Sequence, residues 1–203
     1  MRGTPVTRGA WQTCRLSSPG LSVARAVGQE CHSGPMDVSD LLAEALGRVR
    51  EQLPDLVAGL SDDDLAWRPD PEANSIGWTV WHLSRIEDDH VAGVAGTEQV
   101  WVAEGWADRF GLPFDVREHG YSMSTGDVGK VRVSGKLLAG YYDAVAARSA
   151  AYVATVRPDD LDRVVDEAWD PPVTLGVRLV SVVNEVNAHL GQAQYVRGLL
   201  ERR

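Results

Sequence analysis

A carboxylate and an imidazole lie four residues apart near the C-terminal end of the chain. Glu185 and His189 occur in the segment VVNEVNAHLGQAQYVRGLL, whose apolar positions follow a helical period. Residues at i and i+4 lie on one helix face with Cβ atoms roughly 6 Å apart, so both side chains can reach one ion. The spacing is common in helices, so a metal-site hypothesis needs a third ligand from elsewhere in the chain.

A second histidine supplies that third ligand. His82 lies in SIGWTVWHLSRIEDDH, four residues after Trp78 and four before Ile86, so it belongs to an apolar helix face. A lone histidine there is usually a buried residue satisfied by a hydrogen bond. Two inward histidines and an inward glutamate favour a metal site, because a cation offsets the cost of burying the carboxylate. The alternative partner for Glu185 is Arg85, in a buried ion pair.

Three protein ligands leave one coordination position of the ion open, which is typical of a catalytic metal site rather than a structural one. His90 cannot be a fourth ligand, because eight helical residues place it about 12 Å from His82 along the axis. We therefore expect His90 at a helix end or a pocket rim, with Asp88 and Asp89 mainly solvated. His119 lies in a long loop and reaches the site only if that loop folds over it.

Four long helices are predicted after Met36, because the apolar positions there repeat every 3.6 residues. Ser39 is the expected N-cap of the first helix, and Pro54 is expected to bend or split it. Asn74 or Ser75 is the expected N-cap of the second. The expected bounds are about 38–60, 75–95, 134–156 and 174–200.

The connection between the second and third helices is nearly 40 residues long, whereas antiparallel neighbours in bundles are joined by about 2–8 residues. Such a link can cross the bundle and make those two helices parallel. The predicted fold class is therefore all-α: an up-down-down-up four-helix bundle with a long crossover between helices two and three. We expect one short helix in 98–110, an aromatic-rich loop that packs over something in 111–127, and a short extended turn in 161–174.

Charge is unevenly distributed along the chain, whose formal net charge is −9. Residues 1–35 carry four arginines and one glutamate, so the remainder has a net charge of −12. An acidic body repels phosphate backbones and anionic lipids, which argues against nucleic-acid and membrane partners. No apolar run approaches the roughly 20 residues that span a bilayer.

Both cysteines, Cys14 and Cys31, lie within the first 35 residues. The rest of the chain therefore has no thiol nucleophile and no disulfide of its own, and a cytoplasmic location fits. Residues 1–35 are rich in Gly, Ser, Pro and Arg, which is also the composition of transit peptides. We interpret them as a disordered or spurious N-terminal extension, and residues 36–203 as the folded domain.

Three parts of this domain resemble the DinB/YfiT-like metalloprotein superfamily, and in particular its branch of mycothiol-dependent transferases, which includes maleylpyruvate isomerase domains. The resemblance covers about residues 38–200. It implies the same up-down-down-up bundle, with His82, Glu185 and His189 as ligands of a divalent metal and Gln192 supporting them. Zinc is the usual metal, although nickel, iron and manganese stay open. The matching segments are SIGWTVWHL, GLPF with HGY, and NEVNAHLGQAQYVRGLL.

The resemblance implies a metal-dependent thiol S-transferase that conjugates a mycothiol-like low-molecular-weight thiol to an electrophile, in a detoxification role. The metal lowers the pKa of the thiol, and the resulting thiolate attacks the electrophile. Arg85, His119 and Tyr121 are candidates for substrate binding. Maleylpyruvate is not the expected substrate, because the isomerases have a second domain and this chain ends 14 residues after His189.

Two other functions stay open at this point. A metal-dependent hydrolase of the same fold would use the open coordination position to activate water instead of a thiol. A non-catalytic metal- or ligand-binding bundle would have the same ligands and no turnover. A homodimer is also compatible with the sequence.

Overall fold

A computed structural model of the protein describes residues 35–203, so the predicted N-terminal extension lies outside the described residues except for Pro35. The long helices are α1 (Val38–Val57), α3 (Ile76–Ala95), α7 (Gly135–Val153) and α8 (Leu175–Leu200). The shorter elements are α2 (Asp62–Ala66), α4 (Val100–Ala103), α5 (Trp106–Phe110), α6 (Thr125–Val128), a 3₁₀ turn at Pro158–Asp160, β1 (Val164–Asp166) and β2 (Val173–Thr174).

Side-chain caps fix where three of the long helices begin. The hydroxyls of Ser75, Ser134 and Thr174 each accept a hydrogen bond from a backbone N–H three residues further on. Each of these bonds satisfies a backbone donor that has no partner within the helix. Helix α3 ends at Gly96, whose φ of 67° is readily adopted only by glycine. The predicted starts of these helices and the end of α3 are confirmed.

The first helix differs from its prediction at both ends. Its N-cap is Asp37 and not Ser39, because the carboxylates of Asp37 and Asp40 each accept a hydrogen bond from the other residue's backbone N–H. Pro54 does not split the helix, which continues for one more turn to Val57. A proline so near the end removes a single intrahelical hydrogen bond. The last turn is closed by the backbone N–H of Ala58, which donates to the carbonyl of Pro54 at 3.0 Å.

The four long helices form the predicted up-down-down-up bundle. Helix α1 packs against α7 and α8, and α3 packs against the same two helices. Helix α1 is antiparallel to α7 and parallel to α8, while α3 is antiparallel to α8, so α3 and α7 are parallel. For α1 and α7 the contacting pairs are Arg50–Asp143 and Val57–Gly135. For α1 and α8 they are Gln52–Gln194 and Asp55–Arg197. For α3 and α8 they are His82–His189 and His90–Arg178.

The first part of helix α3 is covered on every side, and all residues from 75 to 88 are buried. Helices α7 and α8 cover two of its faces. Helix α2 packs on the first turn of α3, where Leu65 lies against Gly77, and the crossover covers another face, where Phe114 packs on Trp81 with ring centroids 6.1 Å apart. The crossover was predicted to pack over another part of the protein, and that part is the helix that carries His82.

Asp88 and Asp89 are not mainly solvated, which corrects the prediction. Asp88 is buried, and its carboxylate accepts hydrogen bonds from the backbone N–H groups of Val100 and Trp101 and from the Tyr141 hydroxyl, each at 2.8 Å. Asp89 is half-buried. The Asp88 carboxylate therefore joins the first turn of α4 to α3, a contact between segments that no helical period reveals.

The connecting segments agree with their predictions in outline only. Residues 98–110 form two short helices, α4 and α5, because Gly105 between them has a φ of 70°. Residues 111–127 are a loop whose last residues begin α6. Residues 161–174 contain the antiparallel pair β1 and β2, which confirms a short extended turn. Between residues 35 and 203, no helix combines the length and the apolar character that crossing a bilayer requires.

Removal of residues 1–35 is expected to leave the domain unchanged. Helix α1 begins with its own reciprocal cap at Asp37, so its first turn needs no residue before position 36. A chain that starts at Met36 should therefore have the helical content, melting temperature and metal content of the full chain. Circular dichroism and metal analysis of both chains test this. A fall in melting temperature of more than a few degrees would show that the N-terminal residues pack on the domain.

Candidate metal site

The three predicted ligands converge between α3 and α8. One ligand atom from each of His82, Glu185 and His189 lies within 4.8 Å of the others. Zinc–ligand bonds of about 2.0–2.1 Å place the ligand atoms of a tetrahedral site ~3.4 Å apart, so we expected these atoms to lie within about 4 Å of one another. The observed separation is wider than this limit. The shortest pair, Nε2 of His189 and Oε2 of Glu185, is 3.2 Å apart, so small side-chain rotations would bring all three to one ion.

A backbone carbonyl of the crossover orients His82. Its Nδ1 lies 2.5 Å from the carbonyl oxygen of His119. Because a carbonyl oxygen only accepts hydrogen bonds, Nδ1 carries the proton and Nε2 keeps a free lone pair. Trp78 stacks on one face of the ring at a centroid distance of 4.7 Å. Burial lowers the pKa of His82, which keeps the ring neutral and able to bind a metal.

Gly120 makes this close approach of the crossover possible. A Cβ atom at this position would lie 2.7 Å from Nδ1 of His82 and 3.1 Å from the Trp78 ring, and the φ of Gly120 is 96°. A side chain would therefore clash with the ligand and would also strain the backbone. The HGY element of the sequence places a carbonyl next to His82 because its middle residue has no side chain.

Gln192 lies where the sequence predicted a supporting residue. Its Oε1 is 2.8 Å from Nδ1 of His189, so this ring also donates from Nδ1 and keeps its lone pair on Nε2. That lone pair faces the carboxylate of Glu185 at 3.2 Å. Two acceptors at this distance repel each other unless a proton or a cation lies with them. The donor chemistry of the site therefore fits a divalent metal, although its ligand atoms lie farther apart than in a loaded site.

Arg85 does not belong to the site, which corrects its assignment as a substrate-binding candidate. It is fully buried and does not pair with Glu185. Its guanidinium donates to the side chain of Gln99 at 2.7 Å and to the carbonyl of Glu118 at 3.2 Å, and lies 3.7 Å from the carboxylate of Asp88. Arg85 thus attaches the crossover to α3 and helps to hold the loop that positions His82.

The other candidates lie around the site in different ways. His119 contributes its carbonyl, while its ring accepts a hydrogen bond from the backbone N–H of Tyr121 at 3.4 Å. The Tyr121 side chain is 77% exposed. His90 lies at a pocket rim, as predicted, where its Nδ1 is 3.1 Å from the guanidinium of Arg178.

A cavity of 270 Å³ opens beside the ligands, with His82 and Glu185 in its lining. Trp169 and Arg178 also line it, and neither was predicted from the sequence. The one signal for Trp169 is its position in the polar, proline-containing stretch EAWDPP. This stretch has no apolar repeat, so a large apolar side chain there does not belong to the buried face of a helix or strand. Arg178 lies four residues after the N-cap of α8, and nothing in the sequence distinguishes it from any other arginine in a helix.

The sequence matches the family profile described as Mycothiol-S-transferase over residues 41–202. The chain belongs to the mycothiol-S-transferase family. The match includes α3 and α8 completely, so all three candidate ligands of this family member lie within it. The resemblance that the motifs indicated is confirmed at the level of the family.

The fold of this transferase family member also occurs in a solved structure. A crystal structure described as the conserved protein of a locus from Enterococcus faecalis superposes with a TM-score of 0.78 at 29% sequence identity. The alignment covers 83% of this chain and 100% of that chain. No curated protein matches the sequence. The structural likeness supports the all-α bundle, and the family supplies the link to mycothiol.

Replacement of Gln192 by Ala is expected to weaken metal binding without removing a ligand. Loss of a partner that orients a ligating histidine typically lowers metal affinity by about 10–100-fold. Competition with a chromophoric chelator would measure the affinity. The matched control is Gln194→Ala, two residues away on the same helix, whose side chain bonds Gln52 instead. Equal affinities for the two variants would show that Gln192 does not support the site.

Proposed function

We propose that the protein is a metal-dependent S-transferase that conjugates a small thiol of the mycothiol type to an electrophile. His82, Glu185 and His189 would hold a divalent ion, for which zinc fits the two-histidine, one-carboxylate donor set. One observation carries the proposal: ligand atoms of two histidines and a glutamate lie within 4.8 Å of one another, and two of these residues, His82 and Glu185, line an open cavity. Membership of the mycothiol-S-transferase family supplies the nature of the thiol.

The chain's own residues hold and orient the ligands. The carbonyl of His119 and the amide of Gln192 keep both rings in the tautomer that leaves Nε2 free. A divalent ion in this site would lower the pKa of a coordinating thiol, so that the sulfur reacts as a thiolate near neutral pH. The described residues contain no cysteine. No side chain among them can supply the sulfur, which in this proposal comes from the small thiol.

A conjugation assay with one electrophile, run with and without mycothiol and with and without metal, tests the proposal. The purified protein is first analysed for metal, then incubated with monochlorobimane in the presence and absence of mycothiol. Mass spectrometry identifies the products. We expect a thioether whose formation saturates in mycothiol, stops on metal removal and returns when zinc is added. Because thiols also react with this probe unaided, His189→Ala is the blank, and Gln194→Ala, whose side chain bonds Gln52 outside the cavity, is the control variant.

The other outcomes separate the alternatives. Hydrolysis of ester or amide substrates without any thiol, lost on metal removal, would identify a hydrolase. Stoichiometric metal with neither product would identify a binding protein. Either result contradicts the proposed transfer reaction.

A further inference from the structure

The lining of the 270 Å³ cavity beside the ligands has an apolar part and two aromatic residues, together with Ser181 and the polar groups described above. Ile86 of α3, Val173 of β2 and Val177 of α8 contribute the apolar part. Tyr121 from the crossover and Trp169 from the segment between the two strands also line it. The cavity is therefore built from parts of the chain that are distant in sequence, and Glu185 and His82 lie among the same lining residues.

The two aromatic side chains are unusually exposed for their size. Trp169 is 66% exposed and Tyr121 is 77% exposed. Large aromatic side chains contribute most to stability when they are buried, so two of them beside one cavity leave apolar surface available to a ligand. Such surface binds a flat group well, because aromatic faces stack in offset or edge-to-face arrangements.

The charges around the cavity are already neutralised within the protein. One terminal NH₂ group of Arg178 donates to the carboxylate of Asp166 at 2.8 Å, and the other lies 3.1 Å from Nδ1 of His90. Glu185 is a member of the ligand set. Because the carboxylate of Asp166 balances the charge of Arg178, this arginine gives no reason to expect an ionised substrate in the cavity.

We propose that this cavity binds the electrophile, and that the electrophile carries an uncharged, planar apolar group about the size of one substituted ring, held against Trp169 and Tyr121. A void of roughly 150 Å³ is enough to hold one benzene molecule. The larger cavity here has room for a ring with its substituents next to the ligands. This inference rests on the proposed transferase function, and it assigns the substrate class that the reaction uses.

The reaction with a haloaromatic probe illustrates the expected chemistry. The thiol releases its proton to solvent, and the sulfur forms a bond to the ring carbon of 1-chloro-2,4-dinitrobenzene. Chloride leaves with the electron pair of the carbon–chlorine bond. The products are an aryl thioether, a chloride ion and a proton, and no oxidant or reductant is needed.

Binding is tested first without any chemistry. The probe 1,3-dinitrobenzene has the same ring but no leaving group, so it is titrated into the ¹⁵N-labelled, metal-free full chain and followed by NMR. We expect saturable shifts of the amide signals of Val173 and Val177. Trp169→Ala and Tyr121→Ala should each weaken the binding, by about tenfold for the tryptophan if its stacking contact is lost. The matched control is Tyr195→Ala, an equally exposed tyrosine on α8 outside the cavity.

Several results would overturn this inference. The absence of saturable binding to the natural chain would do so, as would the same dissociation constant for Trp169→Ala and the natural chain. Light scattering gives a third test, since a dimer that becomes monomeric on Trp169→Ala substitution would assign the exposed aromatic side chains to a protein interface.

Kinetics then separate this inference from the proposed function. Trp169→Ala should raise the KM for 1-chloro-2,4-dinitrobenzene while leaving the KM for mycothiol and for iodoacetamide, a small polar electrophile, unchanged. An equal rise for both electrophiles contradicts the inference. Failure of the proposed function gives a different pattern, in which the natural chain turns over neither electrophile although 1,3-dinitrobenzene still binds.

Discussion

Replacement of His189 by Ala should abolish stoichiometric metal binding while preserving the bundle. His189 supplies one of the three ligand atoms that lie within 4.8 Å of one another, and a glutamate with a single histidine is a much weaker site for a divalent ion. The helix itself should persist, because alanine is the best helix former and the histidine lies at the edge of the core. We expect the metal content to fall from about one ion per chain to nearly none, with the helical circular dichroism unchanged.

The control for this experiment is His90→Ala, which removes a histidine that lines the same cavity and contacts Arg178. That variant should keep its metal. A second measurement is the melting temperature with and without a chelator, because a bound metal stabilises only the folded state. The natural chain and His90→Ala should lose stability on chelation, and His189→Ala should not respond. Full metal occupancy in His189→Ala would exclude this histidine as a ligand.

The second large effect concerns Glu87, a carboxylate that the proposed reaction does not use. Glu87 is fully buried between α3 and α7, next to the hydroxyls of Tyr142 and Ser149. Within residues 35–203, neither of its oxygens has a hydrogen bond of regular geometry. Burial raises the pKa of Glu87 to about 7, and the neighbouring carboxylate of Asp88 adds to the shift. Glu87 is therefore protonated in the folded protein at weakly acidic pH.

The direction of the stability change follows from this raised pKa. In the unfolded chain Glu87 titrates near its ordinary value of 4.5, so between that pH and about 7 only the folded state holds the proton. The stabilisation is fully present below pH 4.5 and is lost as the pH rises through about 7. A shift of this size corresponds to on the order of 3 kcal/mol. At pH 8 the folded protein bears the cost of a buried charge.

Glu87→Gln should therefore stabilise the protein at pH 8 and have little effect at pH 5. The neutral amide keeps the shape of the side chain and removes the charge, so the gain in melting temperature at pH 8 should be up to roughly 6–12 °C. Thermal unfolding of the metal-free proteins at both pH values measures it. Glu98→Gln, at an exposed glutamate, is the control and should have no effect. A gain that is equal at both pH values would contradict the raised pKa.

The sequence predicted the parts of the site that depend on local spacing. Glu185 and His189 share a face because any helix brings i and i+4 together, and His82 faces them because its apolar neighbours put it on the inner side of α3. The length of the crossover was enough to predict that α3 and α7 are parallel, because a short loop can join only antiparallel neighbours. These features depend on helical geometry and on chain length alone.

The parts that could not be predicted depend on contacts between distant segments. Arg85 and Asp88 lie on α3 near His82 and were assigned to the substrate and to solvent. Both instead bind the crossover, through Gln99 and the backbone of α4. Nothing in the period of a helix shows which polar side chain an irregular loop will cover. The carbonyl of His119 is a further case, because its role depends on backbone position and not on residue type.

The most direct test of the central claim is the X-ray absorption spectrum of the zinc-loaded protein before and after addition of mycothiol. Before addition, we expect nitrogen and oxygen neighbours at about 2.0–2.1 Å and the outer-shell pattern of two imidazole rings. After addition, a sulfur neighbour should appear at about 2.3 Å, since the described residues offer no thiolate of their own. A spectrum without imidazole scattering, or one that mycothiol leaves unchanged, would contradict the account.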